Sequence, residues 1–569
     1  MRPRSWHTTL NLSLIAVLAL ALLYPIALTI RGGFAADVAT GSGFTLSHVA
    51  LIFQDPVTRC ELLNSALVAT LTTALTILIA LPLALISARH RFPLKGLLNA
   101  IILVPLILPP FVGAIGARAI LGHKGMLNAL LGTDWDILGS AKLVGVVVLQ
   151  ALSLYPIIYL NASAALANLD PALDEAAQNL GAGPVRRLFR ITLPLIRSGV
   201  FAGATIVFIW SFTELGTPLM FDYYAVLPVR IFNGLKEVSN SAQPYAATVV
   251  LLAAAVLFYV VGKRLFAGRA YPMYAKASRA ATEHPLTGAA GWGATALFAA
   301  VSFLAILPHL GVVLTSISAT GQWYETVLPS AFTADHYRQA LGAPDAFRAI
   351  VNSLKYASAA VLVDIVLGIA IAYLLVRGKG RGKPVLDALC MLPLAVPGLV
   401  LAFGYVAVSQ RWPMGRTGPL GDMILGADPN PIPLLVIAYA VRRLPYIVRS
   451  TVAGLEQTSG ELEEAAANLG ASRWTTIRRV TVPLILANLI AGSLLVFSFS
   501  MLEVSDSLIL AQQARHYPVT RAILSFMERL RDGPNIASAM GVWGMALLAV
   551  TLVGASAMIG KKLGSIFRA

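Results

Sequence analysis

The sequence predicts an all-α membrane protein of about twelve transmembrane helices, arranged as two tandem groups of six. Of its 569 residues, 57% are hydrophobic and only 12% are charged, whereas soluble globular proteins carry about 25% charged residues. Long apolar runs recur along the chain, each close to the roughly 20 residues that a helix needs to cross the hydrocarbon core. The runs are continuous, unlike the alternating segments of a transmembrane β-barrel. A helical bundle in lipid is therefore expected.

The apolar runs divide into six spans in each half of the chain. The first run follows a short basic flank, as a secretory signal does, but it is longer than the apolar core of such a signal. We therefore predict a retained helix there. The predicted spans cover approximately residues 10–30, 63–87, 97–121, 143–167, 199–221 and 245–266, then 291–317, 351–376, 385–408, 433–454, 485–510 and 538–559.

Lysine and arginine residues concentrate in alternate loops, which orients the spans by the positive-inside rule. The basic loops hold Arg89, Arg91, Lys95, Arg186, Arg187, Arg190, Arg197, Lys263, Arg264, Arg377, Lys379, Arg381, Lys383, Arg473, Arg478, Arg479, Lys561, Lys562 and Arg568. The opposite loops hold more acids, although Arg515, Arg521, Arg529 and Arg531 also lie there. Both termini are thus predicted to be cytoplasmic. The net charge of +16 reflects this topology, and no nucleic-acid partner is expected.

A short polar segment occurs twice in this apolar chain. The first copy reads Asp174-Glu-Ala-Ala-Gln-Asn-Leu-Gly181 and continues to Ile191-Thr-Leu-Pro194; the second reads Glu463-Glu-Ala-Ala-Ala-Asn-Leu-Gly470 and continues to Val480-Thr-Val-Pro483. Equivalent positions lie 289 residues apart. Further pairs at an offset of 288 or 289 are Asn64 with Asn352, Ser65 with Ser353, Pro105 with Pro393, Pro109 with Pro397, and Glu214 with Glu503.

The offset divides the chain into a first half at residues 1–266, a cytoplasmic linker at 267–290 and a second half at 291–569. Because each half has an even number of spans, both insert in the same sense, as parallel repeats related by an axis along the membrane normal. The two polar segments, at about residues 170–197 and 459–486, then lie on the same cytoplasmic side.

The residue types of the polar segment suit a docking helix. Asp170 and Asp174 complement the positive end of a helix dipole, and Pro171 fits the first helical turn. The alanines leave a face that a partner can approach closely. Gly181 is expected to end the helix in the left-handed conformation.

The pattern Glu-Ala-Ala-x3-Gly-x9-Ile-x-Leu-Pro resembles the EAA motif of the permease subunits of bacterial binding-protein-dependent ABC importers of type I. The second copy departs from the pattern only at Val480 and Val482. The resemblance covers nearly the whole chain and implies a fused, two-copy permease. The chain looks most like the ferric-iron permeases, with those for thiamine or a phosphonate such as 2-aminoethylphosphonate as the alternatives.

The resemblance also implies partners and a location. Two copies of a cytoplasmic ABC ATPase would dock on the motif loops, and a periplasmic or lipid-anchored binding protein would deliver the solute. The chain would be a multi-pass protein of the bacterial cytoplasmic membrane. The residues carried over as the ATPase-coupling site are Glu175, Ala176, Ala177, Gly181, Leu193 and Pro194, with Glu464, Ala465, Ala466, Gly470 and Pro483.

The chain itself is predicted not to be an enzyme. The phosphate-binding pattern G-x4-G-K-[ST] is absent, since the glycine-rich stretch from Gly378 to Pro384 has the wrong spacing. Cys60 and Cys390 form no metal or redox motif, so neither a metal nor a cofactor is expected. An ion-coupled secondary transporter remains the alternative from another class, although it has no need of twin EAA loops.

Charged residues inside predicted spans form the last candidate group, because such residues are costly in lipid and usually face the bundle interior or water. They are Glu214, Glu503, Asp506, Arg442 and Arg443, while Asp364 stays unassigned. Spacing places Glu503 and Asp506 on one helical face near the two arginines. Two hypotheses remain: a salt bridge that holds two spans together, or a polar lining of the translocation path.

Overall fold

The structure is a computed structural model that describes residues 3–37, 42–107, 109–238, 240–266, 283–378, 382–411, 413–415, 418–421, 423–426 and 428–559. Most of the predicted linker, residues 267–282, lies outside the described residues, as do Lys379, Arg381, Lys561, Lys562 and Arg568. The described residues are overwhelmingly helical, with one pair of two-residue strands. The predicted all-α membrane class is confirmed.

The helices of the first half are Pro3–Leu18, Ala19–Leu23 (π), Tyr24–Phe34, Ser47–Gln54, Pro56–Arg89, Lys95–Ile101, Val104–Ile107, Pro110–Leu121, Met126–Leu131, Ile137–Ser140, Lys142–Ala167, Pro171–Asn179, Pro184–Arg187, Leu188–Thr192 (π), Leu193–Phe212, Gly216–Met220, Leu227–Asn233, Gly234–Glu237 (3-10) and Gln243–Phe266.

The helices of the second half are Gly288–Ile317, Asp335–Gly342, Pro344–Arg377, Lys383–Ala395, Gly398–Ser409, Ile432–Glu456, Glu461–Asn468, Arg473–Thr476, Ile477–Thr481 (π), Val482–Leu484, Leu486–Met501, Ser505–Leu510, Ala514–His516 (3-10), Val519–Met527 and Gly533–Ile559. The two strands are His90–Arg91 and His284–Pro285.

Eight helices among the described residues are long and apolar enough to cross a membrane, or eleven if each of three bent helix pairs counts as one span. The remaining predicted span, 433–454, is also a helix, Ile432–Glu456. That helix carries Arg442, Arg443 and Arg449 within eight residues, so it is too polar to count by composition alone. The figure of twelve spans stays a prediction.

The third span of each half is a broken helix, which corrects the predicted continuous spans 97–121 and 385–408. Lys95–Leu106 and Pro110–Leu131 meet at 96°, and Lys383–Ala395 and Gly398–Ser409 meet at 105°. The repeated prolines explain the break, because proline lacks an N–H donor and pushes the preceding residue towards extended backbone. Val396, before Pro397, is indeed extended, with φ −85° and ψ 128°. Pro109 and Pro397 are the N-cap residues that immediately precede the second segments.

The described chain forms two compact units. Unit A contains Met1–Pro56, Arg230–Leu252 and Ala334–Ile566, and unit B is built mainly from Val57–Val229 and Ala253–Thr333. The first helix of each half therefore belongs to the unit formed mostly by spans of the other half. Leu14 and Leu18 are buried in one core with Ile371 and Leu444. The predicted division into a first half, a linker and a second half describes the sequence repeat, and it stays a prediction.

We call the first helix of each half an exchanged helix. Each exchanged helix packs closely against a glycine in the broken third span of its unit. In unit B, a Cβ atom on Gly116 would overlap the carbonyl oxygen of Pro308. In unit A, a Cβ on Gly404 would lie 2.8 Å from Cβ of Pro25, and the neighbouring Tyr405 hydroxyl donates to the Ala21 carbonyl at 2.9 Å. We call Gly116 and Gly404 the crossing glycines, because only glycine leaves room for these close approaches.

Gly116→Ala and Gly404→Ala are each expected to lower stability by about 1–3 kcal/mol, the usual effect of overpacking. Thermal unfolding of the detergent-solubilised protein measures the effect. Gly293→Ala is the matched control, since it lies in the helix that bears Pro308 and its added Cβ meets no described atom within 4 Å. That control should be neutral or stabilising, because alanine is the better helix former. Equal melting temperatures for Gly116→Ala and Gly293→Ala would contradict the packing.

The short strands tie the end of the second span to the start of the second half. His90 and Arg91 pair in parallel with His284 and Pro285. Glu283 lies 3.0 Å from both Lys95 Nζ and Arg91 Nε. The hydrogen bond from Lys95 is the largest cause that holds the pKa of Glu283 below its usual value. The chain therefore re-enters unit B at a fixed point after the undescribed linker residues.

Candidate functional site

The two motif segments form short helices with the same ending. Pro171–Asn179 is capped by the Asp170 carboxylate, which accepts from the Ala172 N–H at 3.0 Å. Glu461–Asn468 is its counterpart in the second half and has three glutamates in its first turn. Gly181 and Gly470 follow with φ of +79° and +81°. The helix and the left-handed glycine end predicted for the first copy are confirmed, and the second copy has the same form.

A hydrogen bond past each glycine closes the helix end. The Ala182 N–H donates to the Ala177 carbonyl at 2.9 Å, and the Ala471 N–H donates to the Ala466 carbonyl at 3.0 Å. This is the bond pattern of a Schellman motif, which satisfies carbonyls that a helix terminus leaves open. The two loops thus present one shape twice.

The motif surface is exposed and partly apolar. Glu175, Ala176, Gly181 and Pro194 are exposed, while Ala177 and Leu193 are half-buried. Their counterparts match: Glu464, Ala465, Gly470 and Pro483 are exposed and Ala466 is half-buried. Leu180 and Leu469, which precede the glycines, are 87% and 89% exposed. The two loops therefore present the same exposed leucine at equivalent positions.

The candidate charges of the second half lie together in unit A. Arg442 Nη1 is 2.7 Å from Glu503 Oε1 and 3.3 Å from Asp506 Oδ2. Arg443 Nη2 also binds Glu503 Oε2. Glu503 is only 4% exposed and Asp506 is fully buried. We call these four residues the charge cluster. Its ion pairs are those expected of a salt bridge between spans.

The fifth spans break beside these acids, which corrects the predicted placement of Glu503 and Asp506 on one helical face. One helix ends at Met501 and the next begins at Ser505, so Glu503 lies in the break. The break leaves the Glu503 carbonyl outside the helix, and the hydroxyls of Ser507 and Thr520 donate to it at 2.5 and 2.7 Å. Buried carbonyls need such partners.

Glu214 sits at the equivalent break of the first half but makes different contacts. It follows the helix Leu193–Phe212 and precedes Gly216–Met220 in unit B. Its Oε1 accepts from the N–H groups of Gly216 and Thr217 at 3.1 and 3.3 Å. The repeat therefore keeps the acid and the break, while the acid caps a helix in one half and binds arginines in the other.

Sequence reasoning missed the residue that makes room for Arg442. A Cβ atom on Gly398 would overlap the Arg442 guanidinium, so the arginine packs on the elbow of the broken third span. The first half has Pro110 and Ser153 at the equivalent positions. The second half therefore has both a glycine in place of proline and an arginine in place of serine. This joint difference between the halves was the sequence signal for the contact.

Two further buried polar features surround the cluster in unit A. The hydroxyls of Tyr439 and Ser507 are 2.6 Å apart. Asp364 is fully buried, and neither of its carboxylate oxygens has a hydrogen-bond partner among the described residues. The first half has Thr76 where the second has Asp364. The second half thus has a buried carboxylate where the first half has a hydroxyl. In the described parts of the chain, no group of three His, Cys, Asp or Glu side chains is arranged to hold a metal.

Comparison with known proteins adds the family. Residues 80–270 and 364–563 match the family described as "Binding-protein-dependent transport system inner membrane component", and together these stretches make up more than half of the chain. The repeat found in the sequence is therefore a repeat of this family's domain.

Three relatives show the range of similarity. The ferric transport system permease protein FbpB of Actinobacillus pleuropneumoniae is 25% identical over 465 residues, 78% of this chain but only 62% of the relative. The Fe(3+)-transport system permease protein FbpB 2 of Haemophilus influenzae is 25% identical over 520 residues, 90% of each chain. The molybdenum transport system permease protein ModB of Escherichia coli is 33% identical over 226 residues, 39% of this chain and 95% of ModB.

Proposed function

The chain belongs to the family of binding-protein-dependent transport system inner membrane components, and on this basis we propose that it forms the translocation path of an ATP-driven importer. In this proposal a separate binding protein delivers a small solute on one side of the membrane. ATP is hydrolysed by a separate subunit, since the sequence has no phosphate-binding loop of its own.

The observation that carries the proposal is the pair of matching exposed loops. Each loop presents a short Ala-rich helix, a glycine with φ near +80° and an almost fully exposed leucine. Two equal docking surfaces fit two copies of one ATPase. A secondary transporter driven by an ion gradient has no use for such surfaces.

Ferric iron is the proposed solute. The support is the alignment with FbpB 2, which extends over 90% of both chains. Under the path-lining hypothesis the charge cluster would suit a polar cargo, because the outer part of the path would then offer both carboxylates and guanidinium groups. A permease fed by a binding protein must also release its cargo, and ion pairs within the cluster leave each charge only weakly available to the solute.

Molybdenum is the second candidate solute, because ModB has the higher identity, at 33%. That alignment spans only 39% of this chain, whereas the FbpB 2 alignment includes both halves. We therefore place iron first.

Uptake into proteoliposomes tests the function. The chain is reconstituted with the ATPase and binding protein encoded beside it, and radioactive ferric iron is supplied on the binding protein. We expect uptake that requires ATP and survives collapse of the proton and sodium gradients. An ATPase disabled in hydrolysis is the control. Uptake without ATP that stops on collapse of an ion gradient would establish a secondary transporter, and uptake of molybdate instead of iron would change the solute.

A further inference from the structure

Each motif helix is connected to its half by the same three kinds of side chain: an arginine, an acid and a threonine. The arginine is the last residue of the second span, since Arg89 ends Pro56–Arg89 and Arg377 ends Pro344–Arg377. The acid, Asp174 or Glu463, lies in the motif helix next to the motif glutamate. We call each set a triad.

The threonine of each triad ends a single π-helical turn at the start of the fifth span. Thr192 closes Leu188–Thr192 and Thr481 closes Ile477–Thr481. Both threonines are buried. Single π turns are uncommon and occur frequently at functional sites, and here the same turn is found at the same place in both halves.

In unit B the arginine is the central member of the triad. Arg89 Nη2 lies 3.7 Å from Asp174 Oδ1 and donates to Thr192 Oγ1 at 2.6 Å. Arg187 holds the other oxygen of Asp174 at 3.1 Å. The aspartate is too short to reach the threonine, so the arginine contacts both.

In unit A the acid is the central member. Glu463 Oε1 lies 3.6 Å from Arg377 Nε and accepts from Thr481 Oγ1 at 3.1 Å. The extra methylene of glutamate allows it to reach the threonine. Arg377 Nη2 donates to the carbonyls of Leu455 and Thr458 at 3.1 and 2.7 Å. Different side-chain lengths therefore give the same three-way connection.

Preservation of the connection by different contacts argues against chance. The arginines are 288 residues apart, and both the acids and the threonines are 289 apart. The acid-to-arginine contacts are ion pairs of 3.6–3.7 Å, longer than a hydrogen bond of about 3 Å. Each triad can therefore tighten without new residues.

We propose that the triads are positioning devices, which fix each motif helix to the ends of the second and fifth spans. A movement that an ATPase imposes on the motif helix then reaches both spans through Arg89 and Thr192, or through Arg377 and Thr481. This inference rests on the proposed function, and it assigns Arg89, Asp174, Thr192, Arg377, Glu463 and Thr481 a part in coupling.

The test compares Arg89→Gln/Arg377→Gln with the unmodified importer in proteoliposomes. Three quantities are measured: co-purification of the ATPase, ATP hydrolysis, and solute taken up per ATP hydrolysed. We expect ATPase association to persist and uptake per ATP to fall by about tenfold, within the usual range of a coupling between sites. Arg338→Gln is the matched control, because Arg338 forms a well-exposed ion pair with Asp335 that includes no residue of the motif loops or of the triads.

A charge exchange separates coupling from simple folding. Arg377→Glu alone should uncouple transport strongly, and Arg377→Glu/Glu463→Arg should recover part of the uptake per ATP. Unchanged uptake per ATP in the double glutamine variant would overturn the inference. So would a joint loss of ATPase association and thermal stability, since the arginines would then only keep the loops folded. Absence of any ATPase association in the unmodified protein would instead overturn the proposed function, and the triads with it.

Discussion

Glu503→Gln is expected to destabilise the protein by about 3–5 kcal/mol, the usual effect of breaking a buried ion pair from one side. Glu503 binds both Arg442 and Arg443 and is almost fully buried. A neutral amide would leave two guanidinium groups with a single acid, Asp506, in the cluster. The amount of protein in the membrane and its melting temperature should both fall.

A double variant and a matched control identify the cause. Arg443→Gln/Glu503→Gln removes one charge of each sign and leaves the pair of Arg442 with Asp506, so most of the stability should return. Glu214→Gln is the control, because Glu214 occupies the equivalent break and its carboxylate accepts hydrogen bonds from the backbone N–H groups of Gly216 and Thr217. Glu214→Gln should lower the free energy of unfolding by about 0.5–2 kcal/mol, as the loss of a helix cap does.

The same variants decide between the two hypotheses for the charge cluster. If the cluster lines the path, Glu503→Gln should lower uptake while abundance and melting temperature stay unchanged. If it holds the spans together, stability should be lost in the single variant and regained in the double. Regained stability with full uptake would exclude a role of Glu503 in the path.

Gly181→Val and Gly470→Val are expected to leave the protein inserted but to uncouple transport from ATP. An added Cβ atom meets no described atom within 4 Å at either position, so the expected effect arises from backbone strain. A non-glycine residue in the left-handed region costs about 1–2 kcal/mol, and a β-branched residue such as valine is especially restricted there. Relief of that strain would turn the motif helix away from its docking geometry. A penalty of this size weakens ATPase association by about tenfold.

Gly132→Val carries the same strain in a different place. Gly132 ends Met126–Leu131 with φ +63°, and its Cβ also meets open space among the described residues. Its stability loss should equal that of Gly181→Val, with normal ATPase association and uptake. We expect unequal severity for the two motif variants, because Gln178 and Pro184 in one loop correspond to Ala467 and Arg473 in the other. Normal ATPase association and uptake in both motif variants would refute the docking assignment.

Much of the structure could be predicted because its signals are local. Composition gave the helical membrane class, and Asp170, Pro171 and Gly181 gave both ends of the first motif helix. The proximity of Arg442 and Arg443 to Glu503 followed from depth in the membrane, since each intramembrane charge needs a partner.

The rest depends on contacts that leave no local signal. Apolar length alone cannot distinguish a straight span from two segments meeting near 100°, although the repeated prolines marked the break. Glu503 and Asp506 have helical spacing, but hydroxyls from Ser507 and Thr520 stabilise a break between them. Gly398 acquires meaning only once Arg442 is known to lie against it. In each triad the arginine precedes its acid and its threonine by 85 to 104 positions, and no sequence motif links them.

The exchange of the first helix also determines how long this helix waits for its native partners during biosynthesis. Tyr405 donates to Ala21 across 384 positions of the chain, and Gly404 packs on Pro25. At about 5–20 residues per second, the ribosome needs roughly 20 to 80 seconds to reach these partners after making the first helix. During that interval the helix has no native crossing partner, and the bilayer or the insertion machinery must hold it. This helix can thus complete its native packing only after residue 405 has been made.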